Sequence, residues 1–372
     1  MPVAAQTADK LRSRAIPATM QAAVYRGKND VRLESVPVPE IKAGELLLRI
    51  HTCGICGTDL KKISTGSHSA PRIFGHEIAG QVVAVGEGLQ DYKIGDRVMA
   101  FHHIPCGECF YCRRKVFAQC PVYKKVGVTA GFEPSGGGFA EYVRVMPWIV
   151  ERGVIPIPNA VSYEQAAFIE PVNTCLKAIE EMRLQSGEVV LVIGQGPIGI
   201  ILGVLAAQKG ARVIGSDMFA QRLTAARKFG IKESIDASKE DVQQRILALT
   251  EGRGADAVIL AVGGNALIQP AINAARPGGR VLLFAQTQHG EATFDPAAVC
   301  MDEKMLFGSY SASVELQQAA AEFVFSGAMD FSKLISHRFP LSRAVEALHM
   351  AAHPQPDSLK IVVSPGLAWE AA

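Results

Sequence analysis

Four cysteines lie within fifteen residues of one another, in the stretch 105–121, which reads PCGECFYCRRKVFAQCP. They are Cys106, Cys109, Cys112 and Cys120, spaced C-x2-C-x2-C-x7-C. Thiolates at this density predict a tetrahedral zinc site. An iron–sulfur cluster is the alternative, but the bacterial ferredoxin spacing has three residues before its last cysteine where this chain has seven. A zinc ion with four thiolate ligands has no open coordination position, so this site is predicted to be structural, and any chemistry must lie elsewhere.

A glycine-rich loop follows the strand-like run EVVLVI and precedes a helix-like run. The loop consists of Gly194, Gly196, Pro197, Ile198 and Gly199 and has the pattern G-x-G-x-x-G. Its glycines allow a tight turn, a close approach of the backbone to a pyrophosphate, and close packing of the helix on the strand. The N-terminus of the helix attracts the phosphates. The loop therefore predicts a dinucleotide site.

The residue at the end of the next strand-like run bears on the choice of dinucleotide. Asp217 lies 23 residues beyond Gly194, at the distance typical of the acid that binds the adenosine ribose. Its carboxylate would accept hydrogen bonds from the ribose and repel a 2′-phosphate, which favours NAD over NADP. A helix cap is the structural alternative for Asp217. Arg222 nearby keeps NADP open as the less favoured cofactor.

Length and composition limit the class of protein. The chain has 372 residues, 48% hydrophobic and 20% charged, which indicates a globular protein of about two domains. The net charge is +2 with scattered Lys and Arg, so neither nucleic-acid nor membrane-surface binding is expected. No run approaches the ~18 apolar residues of a membrane span, and the N-terminus has no signal-peptide core. We therefore expect a cytoplasmic protein whose eight cysteines are thiols or metal ligands.

Two kinds of periodicity follow each other along the chain. Short alternating runs between Gly, Pro, Asp and Asn predict an all-β region over residues 21–150. From about residue 161 to residue 309, strand-like and helix-like runs alternate, which predicts βαβ units and a doubly wound parallel sheet. A last strand, LKIVV, follows one or two helices and is expected to return to the first region.

Upstream of the four cysteines, the sequence HTCGICGTDLKK is followed by GHEIAGQVVAVGEG. With these motifs the chain resembles the zinc-dependent medium-chain dehydrogenases of the alcohol dehydrogenase superfamily, in particular the sorbitol, threonine and butanediol dehydrogenase group. The matching residues are Cys56-Gly57-Thr58-Asp59, Gly75-His76-Glu77 with Gly80 and Gly86, the four clustered cysteines, Glu170-Pro171 and the Gly194–Gly199 loop. The resemblance extends from about residue 21 to the C-terminus. It implies an N-terminal extension (1–19), a GroES-like all-β catalytic domain (20–170), a Rossmann NAD-binding domain (171–310) and a C-terminal return to the catalytic domain (311–372).

The resemblance also implies a second, catalytic zinc, so that each chain would bind two zinc ions. Cys56, His76 and Glu170 correspond to its ligands, and three protein ligands leave one position open for substrate. Neighbouring residues of a strand point to opposite faces, so Glu77 can join His76 at the zinc only if the backbone turns there. Glu77 is therefore expected to be an intermittent ligand or a supporting residue. Asp59 resembles the acid that orients the histidine ligand.

The implied reaction is reversible hydride transfer between NAD and a secondary alcohol, polyol or related hydroxy compound. Thr58 resembles the hydroxyl that passes the alcohol's proton toward solvent; its structural alternative is a turn residue that bonds its own backbone. Lys61 stands where many relatives have a histidine. Either the proton relay ends in water, or Lys61 meets an anionic substrate group.

Alternative functions stay open at this point. Within the enzymes, the alternatives are an L-threonine or a sugar-phosphate dehydrogenase. In a different class, the chain is a catalytically inactive nucleotide-binding protein of the same fold, which would have lost a catalytic ligand. The expected partner is a small-molecule substrate, and the resemblance implies a homo-oligomer, either a dimer or a tetramer.

The remaining histidines and cysteines receive no catalytic role from the sequence. Those near the motifs are interpreted as structural or surface histidines, namely His51, His68, His102 and His103, with His68 or His102 as possible pocket residues. The remaining cysteines are assigned to the core, namely Cys53, Cys175 and Cys300.

Overall fold

The computed structural model of the protein describes residues 16–133, 136–285 and 289–366. Most of the predicted N-terminal extension, residues 1–15, and the last six residues of the predicted C-terminal return, 367–372, lie outside the described residues. The strands are β1 (Thr19–Gly27), β2 (Asp30–Pro37), β3 (Leu46–Gly54), β4 (Arg72–Ile73), β5 (Glu77–Val85), β6 (Arg97–Ala100), β7 (Val128–Thr129), β8 (Tyr142–Val145), β9 (Val154–Pro156), β10 (Val189–Ile193), β11 (Arg212–Asp217), β12 (Glu233–Asp236), β13 (Ala255–Leu260), β14 (Ala275–Leu283), β15 (Met305–Gly308), β16 (Ile335–Pro340) and β17 (Lys360–Ser364). The α-helices are α1 (Gly57–Thr65), α2 (Pro147–Arg152), α3 (Tyr163–Ala166), α4 (Ile169–Met182), α5 (Pro197–Gln208), α6 (Ala220–Lys228), α7 (Val242–Leu249), α8 (Ile268–Ala274), α9 (Ala297–Cys300), α10 (Gln317–Phe325) and α11 (Ala344–Ala352).

Mostly antiparallel strands form the first half of the molecule. The larger sheet has the order β16-β17-β3-β5-β6-β9, with β8 paired to β3 and β7 paired to β8, and a smaller sheet has the order β2-β1-β4. On β3, Leu46, Leu48 and Ile50 alternate into one core with Ile78 and Val82 of β5, as the two-residue period of a strand requires. The chain's last described strand, β17, pairs antiparallel with β3, so the end of the chain adds to the sheet built by its first half.

A six-stranded parallel sheet forms the second half. Its order is β12-β11-β10-β13-β14-β15, and every neighbouring pair is parallel. Helices cover both faces, because Val190 and Val192 of β10 belong to one apolar core and Leu191 to the other. If the six strands are numbered 1 to 6 along the chain from β10 to β15, they lie side by side in the order 3-2-1-4-5-6. The order therefore reverses between β10 and β13. Dinucleotides bind in the crevice at such a reversal.

The elements that carry the predicted ligands meet between these two halves. Two residues separate β3 from helix α1, and α4 is the last helix before β10, the first strand of the parallel sheet along the chain. Among the described residues, no helix is both long enough and apolar enough to cross a membrane.

Candidate active site

The junction of β3 and α1 holds Cys56 in a defined place. Cys56 is the N-cap residue of α1, with extended backbone angles, and its Sγ accepts a hydrogen bond from the backbone N–H of Thr58 at 3.5 Å. In return, the Asp59 carboxylate accepts from the backbone N–H of Cys56 at 3.3 Å. These reciprocal bonds form a capping box. The sulfur is therefore fixed at the N-terminus of α1, facing the first turn of the helix.

Asp59 connects this junction to His76. Its side chain is completely buried, and its Oδ1 lies 3.2 Å from Nδ1 of His76 and accepts from the N–H of Gly75 at 3.4 Å. Burial alone would raise the pKa of the Asp59 carboxyl, but attraction to His76 and hydrogen bonding outweigh it, so the pKa lies below its usual value. The contact engages Nδ1 and leaves Nε2 of His76 as the atom able to bind a metal, an arrangement common in metal sites.

A backbone turn brings Glu77 to the same place. Gly75 has a φ of +94°, and a Cβ there would lie 2.7 Å from Sγ of Cys53, so this turn requires glycine. Strand β5 begins only at Glu77, so His76 and Glu77 are not consecutive residues of a regular strand. One ligand atom from each of Cys56, His76 and Glu77 lies within 4.8 Å of the other two. The turn that was needed for both side chains to approach one ion is therefore present.

Glu77 also has a cationic partner that the sequence analysis missed. Its Oε2 pairs with Nζ of Lys360 on β17, and both side chains are buried. Burial alone would lower the pKa of the Lys360 ammonium, but the negative charges of Glu77 and Cys56 raise it above its usual value. The sequence signal was a lysine inside the apolar run LKIVV. Lys360 thus neutralises one carboxylate of the cluster.

Glu170 lies in the first turn of α4 and is buried. One ligand atom from each of Glu170, His76 and His102 lies within 4.8 Å of the other two, so the site consists of two overlapping groups that share His76. Burial and then repulsion by Glu77 raise the pKa of Glu170 to about 7, although His76 opposes them. No hydrogen bond or ion pair joins its carboxylate to any other residue that the structure describes. A buried carboxylate without a protein partner, next to two imidazoles, fits a bound cation such as zinc.

The four clustered cysteines form a separate site. The sulfur–sulfur distances are 3.8 Å for Cys106–Cys112, 3.5 Å for Cys109–Cys112 and 3.6 Å for Cys106–Cys120. A tetrahedron with Zn–S bonds of about 2.3 Å has edges of about 3.8 Å, so the four thiols are arranged as zinc ligands without any disulfide. Backbone N–H groups of Glu108 and Cys109 lower the pKa of the Cys106 thiol to about 7, which favours the thiolate that a metal requires.

The glycine loop has the shape that a pyrophosphate needs. Gly194 has a φ of +97°, and a Cβ at Gly199 would overlap the carbonyl oxygen of Gly194, so α5 packs closely against the end of β10. A Cβ at Gly196 would meet no atom within 4 Å, which leaves open space at the N-terminus of α5. Pro197 is the first residue of this helix, and Ile198 lines the adjoining cavity. The loop therefore combines an open cradle with the positive end of a twelve-residue helix.

Asp217 ends β11 beside this loop. Its Oδ2 accepts from the N–H of Gln195 at 2.7 Å and its Oδ1 accepts from the N–H of Phe219 at 2.9 Å. Each carboxylate oxygen keeps a lone pair for a ribose hydroxyl. Arg222 lies close by, with its guanidinium 5.0 Å from the Phe219 ring centroid and its buried Nε without a partner among the described residues. The structure therefore brings together the glycine loop, the acid and the arginine.

One cavity of about 1070 Å³ connects the metal-ligand cluster with the nucleotide side. It is lined by Cys56, His76, Glu77 and Glu170 on one side and by Ile198, Ala261 and Gly263 at the β10–β13 reversal on the other. Thr58 is exposed in the same cavity. The volume of the cavity lies at the upper end of the range for small-molecule sites, so the cavity can hold part of a dinucleotide together with a small substrate.

The structure places three of the four histidines near the motifs on the wall of the cavity. His68 and His102 line it, in agreement with the prediction of pocket residues, and His103, which had been given no pocket role, lines it as well. His51 stacks on Tyr163 with ring centroids 4.0 Å apart and does not line this cavity.

Two of the three core cysteines are in the core and one is not. Cys53 and Cys175 are completely buried, as predicted. The core assignment of Cys300 is wrong, because this residue ends the short helix α9 and is exposed.

A parallel nucleotide-binding sheet and a Cys/His/Glu cluster that open into one cavity define a metal-assisted dehydrogenase. Residues 42–159 match the family model of the alcohol dehydrogenase GroES-like domain, and residues 197–326 match that of the zinc-binding dehydrogenases. The chain is 29% identical to sorbitol dehydrogenase of Bacillus subtilis (strain 168), covering 94% of this chain and 98% of that protein. It is 31% identical to D-arabinitol dehydrogenase 1 of Uromyces fabae, covering 95% and 99%. The chain belongs to the zinc-dependent medium-chain alcohol dehydrogenase family.

Solved structures agree with this assignment. A zinc-binding dehydrogenase from Sinorhizobium meliloti 1021 bound to NADP superposes with a TM-score of 0.84 at 28% identity, covering 94% of this chain and all of that one. The 2R,3R-butanediol dehydrogenase from Bacillus subtilis superposes with a TM-score of 0.81 at 27% identity, covering 93% and 100%. The predicted fold, a Rossmann domain combined with a GroES-like all-β domain, is confirmed. The predicted class of activity, an oxidoreductase acting on alcohols or polyols, is confirmed as well.

Proposed function

We propose that this enzyme oxidises a polyol or related secondary alcohol reversibly, with NAD as hydride acceptor and one catalytic zinc ion per chain. The observation that supports it most directly is the single cavity onto which Cys56, His76, Glu170 and the β10–β13 reversal all open. A hydroxyl carbon and a nicotinamide ring must meet for hydride transfer, and such a shared cavity permits it.

Cys56, His76 and Glu170 would hold the catalytic zinc, which supplies a Lewis acid that polarises the substrate hydroxyl. Asp59 holds the His76 ring through Nδ1, so that the imidazole keeps its tautomer and orientation. Thr58 would take the hydroxyl proton from the substrate and pass it toward solvent along the exposed face of α1. Glu77 would stay paired with Lys360 and approach the metal only intermittently.

The four cysteines of the separate site would hold a second, structural zinc. This brings the proposed content to two zinc ions per chain. All eight cysteines are free thiols, which agrees with a reducing compartment. We therefore propose that the protein works in the cytoplasm.

NAD is the proposed cofactor because Asp217 lies beside the glycine loop with accepting capacity left for a ribose. A relative of known structure carries NADP, and Arg222 offers a positive group in the same region. The preference is measured directly by the ratio of kcat/KM for the two cofactors.

The test follows reduction of NAD⁺ and NADP⁺ by absorbance over sorbitol, arabinitol, erythritol, 2,3-butanediol and threonine. Wild type is compared with His76→Ala, which removes a proposed zinc ligand, and with His353→Ala, an exposed histidine at the end of α11. The proposal expects turnover of a polyol by wild type and His353→Ala and at least a thousandfold loss in His76→Ala, the order of effect of removing a catalytic metal. Equal activity in all three proteins would refute it.

Other aspects of the proposal rest on the family resemblance. The domain limits 20–170, 171–310 and 311–372 are proposed on the chain order of the motifs, and limited proteolysis followed by mass spectrometry tests them. A dimer or tetramer is proposed as the working form, with light scattering as the test.

An inactive nucleotide-binding protein is disfavoured because Cys56, His76 and Glu170 are all present. This alternative predicts NADH binding without turnover of any alcohol.

A further inference from the structure

We propose that the preferred substrate is a hydroxy compound that carries an anionic group, a phosphate monoester or a carboxylate, and that Lys62 and Lys124 bind this group. The proposal rests on the proposed function, because it concerns the substrate side of the same cavity. It adds the charge of the substrate and the two residues that select it.

The charges that line the cavity are separated by sign. Every acidic side chain among its described lining residues belongs to the metal-ligand cluster or supports it, namely Asp59, Glu77 and Glu170. The remaining charged lining residues are all basic, namely Lys61, Lys62, Arg72 and Lys124. A neutral polyol could accept hydrogen bonds from these four cations but has no net charge for them to attract. An anionic end group would be attracted by all of them.

Lys62 and Lys124 form no salt bridge with an acidic side chain among the described residues, although the charge of Lys62 also acts on buried Asp59. Each ammonium group instead lies 5.6 Å from an aromatic ring centroid, that of Phe74 for Lys62 and that of Tyr310 for Lys124. Lysines elsewhere in the chain reach a carboxylate, as Lys209 does with Glu180. The helix dipole alone would favour a lysine such as Lys62 in the last turn of α1. The dipole does not account for Lys124, which lies on a separate loop.

The two lysines line the same cavity, and so do the rings that they contact, Phe74 for Lys62 and Tyr310 for Lys124. His103 packs against His102 with ring centroids 3.9 Å apart and ring planes tilted by 46°, and His102 packs against His76 at 4.6 Å and 38°. This row of rings extends from the metal-ligand cluster along the wall of the cavity.

The row also offers hydrogen-bonding groups along the way. The Nδ1 atoms of His102 and His103 are buried, and neither has a partner among the described residues. Neutral imidazoles can donate to or accept from the hydroxyls of a polyol. At the rim, Arg72 is held by Ser69, whose carbonyl and hydroxyl oxygens accept from its guanidinium at 2.6 and 2.8 Å. The cavity thus offers a reacting site, hydroxyl contacts and a cationic end in sequence.

The experiment compares sorbitol, sorbitol 6-phosphate and gluconate as substrates of wild type, Lys62→Met, Lys124→Met and Lys125→Met. Lys125 is the matched control, because its Nζ lies 3.9 Å from the Trp148 ring centroid and the residue does not line the cavity. The same anions are titrated into the NADH complex by calorimetry, so that binding is measured whether or not turnover occurs.

We expect kcat/KM for at least one anionic compound to exceed that for sorbitol by about tenfold or more, the effect of one good charge-assisted contact. Lys62→Met and Lys124→Met should each lower kcat/KM and affinity for that compound about tenfold while leaving sorbitol unchanged, and Lys125→Met should change neither. The better of phosphate and carboxylate identifies the anion. The preference should weaken as ionic strength rises.

Equal kcat/KM for neutral and anionic compounds would overturn the proposal. A rise in the KM of NAD⁺ in Lys62→Met and Lys124→Met would also overturn it, because the lysines would then bind the cofactor phosphates. Absence of turnover with all compounds would count against the proposed function alone. In that case, calorimetric binding of sorbitol 6-phosphate or gluconate that is lost in Lys62→Met would still support the anionic site. No such binding in wild type would refute it.

Discussion

The buried ion pair between Lys360 and Glu77 makes the sharpest prediction for stability. Lys360 is 7% exposed and Glu77 is 2% exposed, and the Lys360 ammonium also donates to the carbonyl oxygen of Ile55 at 3.0 Å. Replacing Lys360 by Met keeps most of the side-chain volume but leaves the Glu77 carboxylate buried without its cation. The carbonyl of Ile55 loses its donor as well.

Removing one partner of a buried ion pair destabilises a protein by about 3–5 kcal/mol. Unfolding entropy of about 2.1 cal/mol/K per residue, taken over the 372 residues, gives about 0.8 kcal/mol/K. Lys360→Met is therefore expected to lower the Tm by about 4–6 °C. Adding Glu77→Gln removes the orphaned charge, so the double variant should recover most of this loss.

Thermal unfolding of zinc-loaded protein followed by circular dichroism measures these shifts. Lys209→Met is the control, since Lys209 and Glu180 form an exposed pair with side chains 43% and 51% accessible. Such pairs contribute about 0–1 kcal/mol, so the control should move the Tm by about 1 °C or less. The reasoning is refuted if Lys360→Met shifts the Tm no more than Lys209→Met, or if the double variant is as unstable as the single one.

Three further predictions concern the other sites. Cys109→Ser should lower the zinc content by one ion per chain and reduce the Tm, whereas the control Cys300→Ser, at an exposed position, should change neither. An unchanged zinc content in Cys109→Ser would contradict the four-thiolate site. Gly199→Ala should abolish NADH binding in a fluorescence titration, because its Cβ would overlap the Gly194 carbonyl oxygen, and retained affinity would show that the loop does not cradle the cofactor. Asp217→Ser should shift the ratio of kcat/KM from NAD toward NADP by about tenfold or more, since it removes the repulsion of a 2′-phosphate; an unchanged ratio would assign Asp217 a purely structural role.

Local patterns in the sequence predicted the features that depend on nearby residues. The four cysteines span fifteen positions, and the glycine loop directly joins β10 to α5, so their spacing already contained the geometry. The alternation of strands and helices likewise predicted the parallel sheet. In each case, the residues that interact are close along the chain.

Features that depend on distant segments could not be read in the same way. Glu77 meets Lys360 only because β17 returns to β3, and Lys62 and Lys124 line one cavity only because α1 and a separate loop converge on it. The approach of both the His76 and the Glu77 side chain to Cys56 depends on the left-handed turn at Gly75, which a residue pattern does not display. These contacts needed the fold before their chemistry could be recognised.

Zinc content measured together with NADH affinity tests the central claim most directly. Wild type should contain two zinc ions per chain and Cys56→Ala one, with alcohol oxidation abolished and the Kd for NADH within about twofold of wild type, because the cofactor loop is separate from the ligand cluster. Two zinc ions in both proteins, or oxidation that persists in Cys56→Ala, would contradict the account of a catalytic zinc held by Cys56, His76 and Glu170.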